Sequence, residues 1–258
     1  MKLQPFQKRT RANIDLDAAE HNFSEIRSRL NRDTKLCCVV KANGCGHGAV
    51  RLSKPYEKLG ADEYGRALAE NAQKMQDKVK THILIDTGMG RIGFRCDDEE
   101  LEKAARVCLF PGLFVEGIFT HFASAGIFDY PEPHPDMVRA GVVLSGLQPS
   151  TALHDPGEPK PILTFKTITD PLKSVPAGAH IGYGRECTDQ CMMDATDIPE
   201  AAADSKVIVY GSDGEISVDH VASANGTINY EIVCAIGERV PRVYKQNRQT
   251  AAVIDHIF

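Results

Sequence analysis

The chain has 258 residues, a formal net charge of −5, 42% hydrophobic side chains and 25% charged ones. That composition supports a core and excludes disorder as the main state, and its mild acidity argues against a nucleic-acid partner, which calls for a basic stripe. No run reaches the roughly 18 apolar residues of a membrane span, and the basic stretch Met1 to Asn13 has no apolar region behind it, so a cytoplasmic protein without a membrane role is expected.

Residues 12–16 predict a short strand, followed by a helix over 17–30. The apolar positions Leu16, Ala19, Phe23, Ile26 and Leu30 step by three and four, which makes one buried stripe. Asp17 reads as the N-cap, with Glu20 as its capping-box partner. Leu36 to Val40 is a continuous apolar run, as in a strand covered on both faces of a parallel sheet. It stops at Lys41, and a glycine-rich loop over 42–48 leads into a helix over 49–59 that contains Pro55, where a kink is expected.

Further along, Ala61 to Gly65 reads as a short strand and 66–80 as a polar helix. Thr81 to Asp86 is a buried strand that opens into Gly88-Met89-Gly90-Arg91-Ile92-Gly93, and 98–108 is a helix with acid in its first turn. Strands follow at Leu113–Phe119 and Met137–Leu144. Strands alternating with helices argue for a parallel sheet or a barrel. The stretch 149–161, rich in Pro, Gly and charge, reads as a linker. Beyond it, 162–168, 207–210 and 215–218 read as strands, with 211–214 turning a hairpin between the last two. The C-terminal part is therefore expected to be mostly β.

The eight cysteines do not form a disulfide pattern. Cys37 and Cys38 sit in an apolar run as small hydrophobes. Cys187 and Cys191 are four apart, but no second Cys/His pair stands at zinc spacing, so no metal is expected.

Lys41 carries the sharpest chemical signal, because barrels keep catalytic groups at the carboxyl ends of their strands. Partial desolvation there favours a neutral amine able to bond to an aldehyde. Taken alone, the feature fits a solvated strand-end lysine better than a catalytic one. Gly88, Gly90 and Gly93 mimic a dinucleotide fingerprint. However, the helix behind them starts late, and Asp97, Asp98, Glu99 and Glu100 would repel a pyrophosphate, so the glycines read as a strand-end loop presenting Arg91. The rival reading, a nicotinamide-dependent oxidoreductase, predicts NAD binding. His121 ends a strand, where a packed histidine is the ordinary case. Arg139 lies inside an apolar strand and needs a partner, an acid or a cofactor ring nitrogen. Lys41, Arg91, His121 and Arg139 together point to a site more strongly than any one of them.

At these residues the chain resembles the alanine racemase family, in blocks that span nearly its whole length. Arg11-Ala12-Asn13-Ile14-Asp15-Leu16 is similar to the family's opening strand, and Val39-Val40-Lys41-Ala42-Asn43-Gly44-Cys45-Gly46-His47-Gly48 to its cofactor-lysine motif. Ile85-Asp86-Thr87-Gly88-Met89-Gly90-Arg91-Ile92-Gly93-Phe94, Glu116-Gly117-Ile118-Phe119-Thr120-His121-Phe122 and Met137-Val138-Arg139-Ala140-Gly141-Val142 match further strands and loops. Cys187-Thr188-Asp189-Gln190-Cys191-Met192 and Gly226-Thr227-Ile228-Asn229-Tyr230-Glu231-Ile232 match the C-terminal domain.

The resemblance implies a TIM-type (β/α) barrel, incomplete here, over 1–152 and a mostly β domain over 161–258. It implies a homodimeric isomerase that uses pyridoxal 5′-phosphate to interconvert L- and D-alanine, supplying D-alanine for peptidoglycan. Lys41 would take the cofactor aldehyde as an internal aldimine and then act as one proton-transfer base. Arg139 would face the ring nitrogen, His121 would pack beside the ring, and Arg91 would act near the ring oxygen and the substrate carboxylate. The N–H groups of Gly141 and Val142, with Ser124 and Tyr230, would bind phosphate. Tyr183 is the candidate for the base on the opposite face.

The chain departs from the family at Cys45, where tyrosine is usual, at Leu84, often lysine, at Ser145, commonly aromatic, and at Thr188, usually methionine. Stretches are missing between Gly65 and about Lys80, at Ser124-Ala125-Gly126, and between Tyr183 and Cys187. A barrel of this type takes about 250 residues by itself, so an open remnant with exposed strand edges is expected. The alternative function is a relic that binds the cofactor without turnover.

Overall fold

The computed structural model describes residues 10–61, 63–64, 79–110, 113–122, 136–150, 157–181, 191–212 and 214–256. Ser124, Tyr183, Cys187 and Thr188, and residues 66–78 of the helix expected over 66–80, lie outside the described residues. Two compact units divide the chain, one from residues 16–161 and one from 1–15 with 162–258.

In the first unit, α1 (Leu16–Arg29) buries Ala19, Phe23 and Ile26, the stripe expected from their spacing. It starts directly at the end of β1 (Arg11–Asp15), so Asp17 lies inside its first turn rather than capping it from outside. The carboxylate favours the positive end of the helix dipole from there. Phe23 stacks on Tyr56 of α2 (Ala49–Lys58), ring centroids 5.7 Å apart. Pro55 is buried in α2, and the helix continues past it, with Leu59 N donating to the Pro55 carbonyl at 3.0 Å. The residue lost one hydrogen bond and gained apolar contact.

The strands of this unit are all parallel. β2 (Lys35–Cys38) lies between β3 (Glu63–Tyr64) and β7 (Met137–Ala140), with Leu36, Cys37 and Cys38 opposite Val138, Arg139 and Ala140. β2 and β7, the first and last strands described in the unit, pair in parallel, as the first and last strands of a barrel do. β4 (Val79–Asp86) lies between β5 (Phe94–Arg95) and β6 (Leu113–Thr120) in a separate sheet. Among the described residues the barrel does not close, and β6 leaves Phe114 and Ile118 exposed, as an open remnant requires. β4 begins at Val79, so Val79 and Lys80 belong to a strand and not to the helix expected there.

α3 (Asp98–Val107) is capped by Asp97, whose carboxylate accepts from Glu100 N at 3.0 Å. The strand expected over 137–144 ends at Ala140; a 3-10 turn over Val142–Ser145 follows because Gly141 accepts from Leu144 N. The expected linker is anchored at its end. The buried Asn22 amide donates to the carbonyls of Leu144 (3.2 Å) and Lys160 (2.8 Å) and accepts from Lys160 N (2.7 Å).

The second unit is built on one five-stranded sheet in the order β11-β10-β1-β8-β9, from β8 (Leu163–Ile168), β9 (Lys206–Gly211), β10 (Arg242–Gln246) and β11 (Gln249–Ile254). One face is apolar, with Ala12, Ile14, Leu163 and Tyr244 buried and Phe165 stacked on Tyr210 at 5.2 Å. The strand expected over 215–218 is absent. Ser217 instead accepts from His220 N and caps α4 (Val218–Ala224), which packs on α5 (Asn229–Cys234). The β10–β11 hairpin turns at Asn247-Arg248, both in the left-handed region that a tight hairpin requires.

Candidate functional site

The site of the first unit begins with backbone geometry. Beyond β2, Ala42, Asn43, Gly44 and Cys45 all have φ between 51° and 63°, a left-handed turn that costs about 1–2 kcal/mol for each residue with a Cβ. Hydrogen bonds hold it: Gly44 N to Val40 O (2.9 Å), Gly46 N to Ala42 O (3.0 Å) and Gly48 N to Asn43 O (2.8 Å). The Asn43 side chain accepts from Ala49 N, and the buried His47 ring bonds the Gly44 carbonyl at 2.9 Å. Strain that the surroundings over-determine in this way is typical of functional loops. Here it fixes Lys41, exposed, at the first position of the turn.

The loop behind β4 is organised by a residue that the motif reading did not single out. Asp86 accepts from Gly88 N at 2.9 Å and from Gly90 N at 3.0 and 3.1 Å, and these bonds hold its carboxyl below the usual range. The signal was an aspartate just ahead of glycines, the pattern of a side chain that closes its own turn. Two of the glycine amides are thus committed to Asp86, which leaves them unavailable to a pyrophosphate. Thr87 and Thr120 share a hydrogen bond of 2.7 Å that ties this loop to the end of β6. Arg91 and His121 follow from the two tied ends.

Arg139 projects from β7, opposite Cys37 of β2, and its guanidinium carbon lies 4.7 Å from the centroid of the Phe119 ring. Phe119 is a second contributor that the sequence did not flag. Partial burial, then the charges of Arg91, Arg139 and Lys41, lower the pKa of His121. Charges act this way only at short range, within roughly a 10 Å Debye length where solvent screens them. The charges of Lys41, Arg91 and Arg139 thus reach His121 from other strand ends, and Arg139 bridges the two sheets by lying over Phe119. Among the described residues no carboxylate pairs with Lys41, Arg91 or Arg139. Beside them, Val40, Gly44, Cys45, Gly141 and Ser145 line a small cleft, and a Cβ at Gly141 would meet nothing within 4 Å. Val142 is buried at the start of the 3-10 turn. Tyr230 lies on α5, in the other unit.

The lowered pKa has a pH signature. The folded state resists protonating His121, so stability falls as pH drops below the unfolded value of about 6.5 and goes on falling until the folded pKa is passed. A phosphate-bearing anion among the three cations cancels their part of the shift. The His121 resonances in NMR are expected to titrate below the usual histidine range in the free chain and closer to it when pyridoxal phosphate is added. An unchanged titration with the cofactor bound would place the anion elsewhere.

Comparison with known proteins agrees with this architecture. The model of the alanine racemase N-terminal domain matches residues 14–78 and 59–134, and that of the alanine racemase C-terminal domain matches 183–244. An alanine racemase of Desulforamulus reducens is 30% identical over 364 residues, covering 90% of this chain and 98% of the relative. One of Methanococcus maripaludis is 28% identical, with 90% and 98% covered. A chain of 258 residues spans such an alignment only by omitting internal segments. Among solved structures, alanine racemase of Bacillus anthracis superposes with a TM-score of 0.81 at 23% identity, covering 98% of this chain and 99% of the other. That of Clostridium difficile 630 gives 0.80 at 22%, covering 97% and 99%. These neighbours share the barrel and β-domain fold. With its β2–β7 pairing, its lysine turn and its matches at both ends, the chain belongs to the alanine racemase family, shortened from within.

Proposed function

We propose that the chain interconverts L- and D-alanine with pyridoxal 5′-phosphate, at the place where Lys41, Arg91, His121 and Arg139 meet. The observation that supports this most is the donor set: one amine and two guanidiniums around an imidazole, with no carboxylate pairing the cations among the described residues. That set fits the cofactor, whose aldehyde needs an amine and whose phosphate and phenol oxygen need cations or N–H donors. At Gly141 a Cβ would meet nothing within 4 Å, so the backbone there is open to close approach.

Bound there, the cofactor would draw electron density from the substrate Cα and make its proton acidic. Lys41 carries the one amine of the cluster, the group type that can both bond to an aldehyde and carry a proton. It would move the Cα proton on one face, and Tyr183 on the other. Arg139 keeps its charge at all working pH values, so it would donate to the ring nitrogen and leave that nitrogen unprotonated. Arg91 would orient the substrate carboxylate. His121, pushed toward neutrality, would pack beside the ring without adding a fourth charge. Gly141 and Val142 N–H groups, with the hydroxyls of Ser124 and Tyr230, would hold the phosphate, and Cys45 leaves that set without the usual tyrosine. The same reading makes the protein a cytoplasmic homodimer that supplies D-alanine; among the described residues no helix is long and apolar enough to cross a membrane.

The relic reading is favoured by one observation, the separation of the β4 sheet from the β2 sheet. Deuterium exchange at Cα of each alanine enantiomer separates the two. Racemisation requires exchange from both. Exchange from one enantiomer alone would show Lys41 working without an opposing base, and none, with cofactor bound, would leave the relic.

A further inference from the structure

Arg139 is exposed between the buried Val138 and Ala140 of β7. A long side chain so placed samples many rotamers, and fixing one of them only when a ligand arrives weakens binding. Among the described residues its partner is the ring of Phe119, which reaches it from β6 of the other sheet, with the guanidinium carbon 4.7 Å from the ring centroid. A ring face attracts a cation through its quadrupole and adds no negative charge. A carboxylate in the same place would occupy N–H donors and cancel the charge that faces the ligand. Phe119 therefore holds the guanidinium and leaves it able to act.

The ring is itself held. His82 of β4 meets Phe119 edge to face, with ring centroids 6.3 Å apart and planes at 65°. The backbone makes a seat for that imidazole. The register jumps from Thr81 opposite Val115 to His82 opposite Gly117, a bulge at Glu116, and bulges re-aim side chains in this way. Gly117 has no side chain, and a Cβ there would meet the His82 ring at 3.2 Å. Glu116 Oε2 lies 3.8 Å from His82 Nε2. The bulge that seats His82 thus sets the pose of Phe119 and, through it, of Arg139.

We propose that Phe119 is the positioning residue of Arg139, holding its guanidinium aimed and charged for the cofactor ring nitrogen, and that His82 sets the Phe119 ring. This rests on the proposed placement of Arg139 at that nitrogen. The test titrates the full chain with pyridoxal phosphate and reads the dissociation constant and the absorbance maximum of the bound cofactor. Phe119→Leu should weaken binding by about fivefold and shift the maximum in the direction that Arg139→Met shifts it. Phe119→Tyr keeps the ring face and should match the parent in both readouts. His82→Ala leaves the Phe119 ring in place and carries the test if leucine disturbs the fold; it should weaken binding by about threefold, with a shift of the same sign. In an Arg139→Met background Phe119→Leu should have no further effect, because a residue that acts through Arg139 then has nothing to act on. Equal effects of Phe119→Leu in both backgrounds would show plain packing and overturn the inference. A change in Arg139→Met with none in Phe119→Leu overturns the inference alone. Parent-like readouts in Arg139→Met remove Arg139 from the cofactor, and the role of Phe119 with it.

Discussion

Lys41→Ala is expected to lower the rate of alanine racemisation by about 10³-fold or more, the size of a lost proton-transfer group. Its neighbours cannot replace it. Arg91 and Arg139 hold their protons at every pH an enzyme meets, and His121 is pushed toward neutrality by the same cluster. Lys41→Arg should do no better than alanine, because a guanidinium keeps the charge and loses the transferable proton. The strained turn that starts at Lys41 is held by backbone bonds and by Asn43 and His47, not by the lysine side chain. The fold should therefore survive the change, and circular dichroism should match the parent. Activity within about tenfold of the parent would remove Lys41 from the reaction.

The largest loss of stability is expected at Gly146. Its φ is +75°, and a Cβ there would fall on the carbonyl group of Lys160 and the nitrogen of Pro161. Lys160 cannot move aside cheaply, since the Asn22 side chain holds both its N–H and its carbonyl. Gly146→Ala therefore combines left-handed strain with a backbone clash, and about 3 kcal/mol or more of destabilisation is expected from the urea midpoint. Gly178 isolates the first contribution: its φ is +81°, and a Cβ would meet nothing within 4 Å. Gly178→Ala should cost only about 1 kcal/mol. Equal midpoints for the two variants would mean that the close approach of Lys160 to Gly146 is not maintained in solution.

Much of the first unit is legible in the sequence because parallel strands buried on both faces read as apolar runs. Leu36 to Cys38 is such a run, and α1 shows its stripe through Phe23 and Ile26. The places where the reading slips have physical causes. Val142 to Leu144 continues an apolar run, yet a glycine in front of it starts a 3-10 turn; hydrophobicity alone does not separate a buried turn from a strand. Val218 follows a serine whose side chain caps the chain into a helix, a local bond stronger than the β-pattern of 215–218. Arg242 to Ile254 was not expected as a hairpin because its turn, Asn247-Arg248, holds no glycine.

The candidate site was legible through residue types at strand ends, but its supports were only partly so. Asp86 acts on amides two and four residues on, and Phe119 acts by lying beneath Arg139 from a different sheet. The first has a local signature, an aspartate ahead of glycines; the second has no spacing to read. Cys45 and Gly141, nearly a hundred residues apart, come together in one cleft only through the pairing of β2 with β7.

The most direct measurement is where the cofactor attaches. The full chain, incubated with pyridoxal 5′-phosphate, reduced with borohydride and digested, should carry the pyridoxyl mass on the peptide that contains Lys41, in a ratio near one per chain. A label spread over surface lysines, or one that persists undiminished after Lys41→Ala, would contradict the assignment of this amine as the cofactor anchor.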